Sequence, residues 1–125
     1  PTHAMLAAAQ TAKLTSKGDT ILAQSLVSQM LPMLPRDAAL IASRPLYWKQ
    51  PYFTRKETAF RKAIQAYTDN IDTLTNQQLV AYRGMLLQAN VTVVVTPPLP
   101  PKAIDTLSLR ELSRAGDYTI YRISE

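Results

Sequence analysis

Residues 44–62 read RPLYWKQPYFTRKETAFRK, the part of the chain richest in groups that could do chemistry. Arg44, Lys49, Arg55, Lys56, Arg61 and Lys62 stand there against a single acid, Glu57. Guanidinium and ammonium donors of this kind suit the oxygens of phosphates and carboxylates. Tyr47, Trp48, Tyr52 and Phe53 add flat, amphipathic rings that suit base stacking, the face of a sugar or a bilayer interface. Pro45 and Pro51 stiffen the segment and so lower the entropy lost when it engages a partner. The candidate ligand-binding set is Arg44, Tyr47, Trp48, Lys49, Tyr52, Arg55, Lys56 and Arg61. The competing reading is packing: Trp48, Tyr52 and Phe53 fill a core beneath a loop while the cations are solvated.

Most other chemistry lacks its residues. Cysteine is absent, which removes disulfides, thiolate metal sites and cysteine nucleophiles. His3 is the one histidine and sits near the terminus without clustered ligands, so no metal site and no histidine-based triad is expected. Gly18, Gly84 and Gly116 are scattered, which excludes a phosphate loop and a dinucleotide fingerprint; no cofactor is expected. Gly84 reads as a point of close helix packing. Asp69 and Asp72 are the nearest approach to a carboxylate pair, yet they fall in a polar turn and read as caps or solvated charges. Asn90-Val91-Thr92 matches the N-glycosylation triplet, but it opens a buried strand and is expected to be unmodified. No catalytic residue is assigned.

With 125 residues, 46% of them hydrophobic, the chain suits one domain with one core. A formal charge of +5 favours acidic partners: nucleic acid, an anionic membrane surface or a phosphorylated ligand. The apolar stretch 21–34 is broken by Gln24, Ser25, Ser28 and Gln29 and is too short to cross a bilayer. A start at Pro1 rather than Met fits a piece of a longer protein.

The elements that must position these groups read as follows. Residues 2–14 are Ala-rich and predict a helix. After a turn at 16–19, Asp19 or Thr20 caps a second helix over 20–31, with Ile21, Leu22, Leu26 and Met30 as its apolar stripe, ended by Pro32 and Pro35. Residues 38–42 predict a buried strand. A helix starts near Thr54, three residues before Glu57 as in a capping box, with Phe60, Ile64 and Tyr67 inward. Thr75 caps a further helix over 76–88, whose Leu79, Val80, Tyr82, Leu86 and Leu87 face a core. VTVVVT at 91–96 predicts a strand covered on both faces. PPLPPK at 97–102 is a stiff connector, 104–114 a helix, and YTIYRI at 118–123 an edge or half-exposed strand. The expected fold is a single α/β domain over 1–125: a helical lead-in at 1–34, then a sheet of three or more strands with packed helices at 35–125.

This layout resembles the soluble C-terminal domain of bacterial polytopic, C-type glycosyltransferase-like membrane proteins. The phrases that carry the resemblance are LPRDAALIAS, RPLYWKQPYFTRKETAF, ANVTVVVTPP and LRELSRAGDYTIYRISE, over roughly residues 20–125. It implies a domain on the extracytoplasmic (periplasmic) face of the cell membrane, joined to a transmembrane region that carries the catalytic carboxylate. It also implies a non-catalytic role: helping to place an anionic lipid-phosphate donor or an acceptor, or stabilising the membrane part. Two other functions remain open from the residues alone. One is a basic nucleic-acid-binding module using the 44–62 segment, although VTVVVT lacks the exposed aromatics of sheet-based RNA readers. The other is a protein–protein assembly domain using the 20–31 stripe and the 118–123 strand.

Overall fold

The computed structural model of the chain describes residues 2–41 and 55–124. Their fold is α/β, as the sequence predicts: a five-stranded mixed sheet with helices on both faces. The strands are β1 (Thr20–Ala23), β2 (Ala39–Leu40), β3 (Val93–Thr96), β4 (Leu109–Ala115) and β5 (Tyr118–Ile123), in the order β2-β1-β3-β5-β4. β1 runs parallel to both β2 and β3, whereas β5 is antiparallel to β3 and β4.

The two-residue side-chain period of strands sorts the core into two clusters. Ile21 and Ala23 of β1, Val93 and Val95 of β3, and Ile120 of β5 face one side. There they meet α1 (His3–Leu14), through Ala4, Ala7 and Ala8, and α2 (Ser25–Met30), through Val27. Leu22, Val94 and Tyr121 face the other side. There they meet α3 (Arg55–Asp69), α4 (Asn76–Gln88) and α5 (Pro101–Leu107), through Ile64, Tyr82, Leu86 and Leu107. Every residue of β3 is buried, the double coverage that a continuous β-branched run predicts. Each such valine contributes about 1.5–3 kcal/mol of burial.

Several elements differ from the sequence reading, each for a physical reason. The lead-in is not wholly helical, because residues 20–23 form β1, the strand between β2 and β3. Ile21 and Leu22 therefore point to opposite faces rather than along one stripe, and α2 begins only at Ser25. A four-residue apolar run fits a helix stripe and a buried strand equally well; the parallel neighbours decide between them. The helix expected over 104–114 ends at Leu107, where Ser108 adopts a left-handed conformation with φ +54°. Residues 109–115 then pair with β5 as an edge strand, and the register shift between Glu111 and Ser113 disguises the alternation there. Consequently β5 is interior, not an edge, and offers no free backbone for strand addition.

Of the expected buried strand over 38–42, the described residues show β2 at Ala39–Leu40, at the opposite edge and exposed to half-buried rather than buried. Val80 and Leu87 of α4 are exposed, while Leu79, Tyr82 and Leu86 are buried as expected. Gly84 makes no close approach, since a Cβ there would meet nothing within 4 Å.

Two polar networks lock the ends of the sheet. At the amino end of β1, the Asp19 carboxylate accepts hydrogen bonds from Arg122 Nη1 (2.9 Å), Thr92 Oγ1 (2.8 Å) and Ser16 N (3.0 Å). Asp19 thus closes the turn before β1 and joins three strands; it does not cap a helix. The same Thr92 hydroxyl accepts from the Thr20 amide, so the threonine of the Asn90 triplet is committed inside the fold. At the carboxyl end, Asp69 accepts from Ser25 N (2.8 Å), the Ser25 hydroxyl and Gln65 Nε2 (3.2 Å). Asp69 therefore caps α2 from the end of α3, which is a capping role as expected, although it serves a distant helix.

His3, expected to fray, opens α1 with Thr2 as N-cap, and its Nδ1 lies 3.3 Å from Asp117. It packs on Gly116, in the two-residue turn between β4 and β5, whose φ is +61°. A Cβ at Gly116 would stand 2.7 Å from the His3 ring, so the turn needs glycine on both counts.

Candidate functional site

α3 carries the described half of the basic segment. Glu57 in its first turn complements the helix dipole. The capping residue expected at Thr54 lies outside the described residues. Ile64 is fully buried, and Phe60 and Tyr67 pack against the same cluster, which fixes the helix on the sheet face. With those three positions turned inward, Lys56, Glu57 and Arg61 fall along the flank of the helix, because positions four apart stack above one another.

That flank borders a cavity of about 400 Å³. Its walls are Ile41, just beyond the end of β2, then Lys56, Glu57, Phe60 and Arg61 of α3, and Gln88 and Ala89 at the end of α4. The volume falls within the range of ordinary small-molecule sites. Ile41 and Phe60 supply apolar surface, and Lys56 and Arg61, whose long stems are apolar and whose ends are cationic, line the same cavity. Glu57 lines the same cavity. The arrangement suits a molecule with an anionic head and an apolar body.

Of the eight candidate residues, Lys56 and Arg61 are brought together at this cavity. Arg55 is exposed on the same helix but takes no part in the wall. Arg44, Tyr47, Trp48, Lys49 and Tyr52 lie outside the described residues. Ile41 and Gln88 were missed by sequence reasoning, since one belonged to an expected buried strand and the other to the end of a helix. Only the α3–α4 packing makes them neighbours.

No group of three or more His, Asp or Glu side chains that could hold a metal exists among the described residues. No described helix is long and apolar enough to cross a membrane. No protein-family model, curated protein or solved structure matches the chain.

Proposed function

We propose that this chain is a non-catalytic, extracytoplasmic domain of a membrane-bound, glycosyltransferase-like protein, and that it helps bind an anionic lipid-phosphate donor or acceptor through the 44–62 segment and the α3 flank. The observation that carries the reading is the joint placement of Lys56 and Arg61 at an apolar cavity walled by Phe60 and Ile41. A purely solvated charge run needs no such cavity, whereas an amphiphile with a phosphate head uses both of its parts. The resemblance of LPRDAALIAS, ANVTVVVTPP and the closing GDYTIYR to the C-terminal domains of such proteins supports the parent assignment. A net charge of +5 supports attraction to an anionic surface.

The nucleic-acid reading is less well supported. Both sheet faces are covered by helices and Tyr121 is buried, so the sheet offers no stacking platform.

Co-sedimentation with vesicles of phosphatidylglycerol and of phosphatidylcholine tests the proposal. Each cation near an anionic surface contributes about 1 kcal/mol, so Lys56→Gln with Arg61→Gln should weaken binding to the anionic vesicles roughly 30-fold. Binding to neutral vesicles should stay low. Equal binding to both vesicle types, or no change in the double variant, would reduce this flank to a solvated face.

A further inference from the structure

A second site lies at the opposite end of α3, where the chain switches direction across the sheet. β1 and β3 are adjacent and parallel, and their carboxyl ends meet where Gln24 N donates to the Val95 carbonyl at 2.9 Å. From there β1 leads into α2 on one face, whereas β3 leads into α5 on the other. Diverging connections leave a crevice outside the strand ends, the position where open α/β sheets bind ligands.

The crevice is present. A hollow of about 130 Å³ lies between Gln24, Asp69 and Pro97–Pro98, and another of about 330 Å³ runs on past Asn76 and Lys102. Ile71 and Asp72 belong to the walls of both, so the two hollows adjoin the same segment of chain. One water needs only ~10–15 Å³ on this scale, so even the smaller part accommodates a group much larger than an ion or a single water.

The wall chemistry narrows the ligand. Asp72 and Lys102 are exposed and of opposite sign, which disfavours both a phosphate and an ammonium as the main group. At the α4 N-terminus two backbone donors are already taken, because the Thr75 hydroxyl accepts from Gln78 N and the Gln78 side chain accepts from Thr75 N. Gln24 Oε1 already accepts from the Tyr118 hydroxyl, which leaves its amide hydrogens as donors at the crevice. Donors and acceptors therefore both line these hollows, with Pro97 and Pro98 as apolar wall residues. A neutral ligand with many hydroxyls and one apolar ring face matches all of these features.

We infer that this switch-point groove is a carbohydrate-binding site, with Asp72, Asn76, Lys102 and Gln24 as hydroxyl partners and Pro97–Pro98 as the packing face. It shares no lining residue with the Lys56–Arg61 cavity and stands or falls independently of it. The test is an amide ¹H–¹⁵N titration of the whole chain with methyl α-mannoside, methyl β-glucoside and N-acetylglucosamine. Inorganic phosphate and butylammonium serve as charged probes. The inference requires saturable shifts at Gln24, Asp72, Asn76 and Leu99 with at least one sugar, with a dissociation constant on the order of 1 mM for a single ring. Asp72→Ala, an exposed and structurally silent change, should weaken that binding about tenfold, while Lys56→Gln should leave it unchanged. No saturable shift with any of the three sugars would overturn the inference. So would response to phosphate or butylammonium alone, or sugar binding indifferent to Asp72→Ala.

Discussion

Replacing Asp19 by Asn should destabilise the fold, and the amount follows from the geometry. The carboxylate is 8% exposed and takes hydrogen bonds from Arg122, Thr92 and Ser16. The Arg122 guanidinium is the largest influence and outweighs the opposing effect of burial, holding the Asp19 carboxyl down from 3.8 to about 2. At ~1.4 kcal/mol for each pH unit, that difference corresponds to about 2–3 kcal/mol of folded-state preference for the charged form. Because the folded value is the lower one, the stabilisation is complete above about pH 5 and is lost as pH falls from 3.8 towards 2. Asp19→Asn keeps an acceptor for Thr92 but leaves Arg122, 30% exposed, without its counter-charge. Urea denaturation at pH 7 should therefore show a loss of about 2–3 kcal/mol for the variant. The gap between wild type and variant should close progressively between pH 4 and pH 2. A gap below about 0.5 kcal/mol at pH 7, the size of an ordinary exposed pair, would refute the reasoning. A gap equally large at pH 2.5 would refute the electrostatic part of it.

Other outcomes follow from single positions. Gly84→Ala should stabilise by about 0.5–1 kcal/mol in urea melts, since an α4-interior glycine gains helix propensity and the new Cβ meets nothing. Gly116→Ala should destabilise by about 1–3 kcal/mol through its φ of +61° and the His3 clash. Adding His3→Ala should recover only part of that loss, as a double-mutant cycle will show. Tyr82→Phe should lower stability by about 1 kcal/mol, because the buried Tyr82 hydroxyl pairs with Thr68 Oγ1 at 2.7 Å. Burial, the main cause, raises the Tyr82 phenol far above its usual range, so alkaline spectrophotometric titration should leave it protonated until the fold opens.

Elements whose local signals agreed were legible in the sequence. VTVVVT reads as a doubly covered strand and is one, and Thr75 caps α4 as expected. What escaped depended on partners far away along the chain. TILA is a strand because β2 and β3 flank it, and LRELSRA is a strand because β5 turns back at Gly116. Short apolar runs of this kind carry no period long enough to separate a helix from a strand. The Asp19–Arg122 pair joins residues 103 positions apart and has no local trace. The cationic half of the site was visible as composition, and Lys56 and Arg61 do border a cavity together. The cavity's other walls come from Ile41 and the end of α4, which only the packing of three elements reveals. The switch-point groove was hidden for the same reason, since it exists only once β1 is known to be a strand.

Calorimetric titration of the chain with dodecyl phosphate, below its micelle concentration, tests whether cations at an apolar cavity hold an amphiphile. Dodecyl maltoside is the uncharged comparison. Dodecyl phosphate should bind saturably and one-to-one, about tenfold or more weakly after Lys56→Gln with Arg61→Gln, and the maltoside should bind much more weakly. Equal affinity for the two amphiphiles, or dodecyl phosphate binding untouched by the double variant, would contradict it.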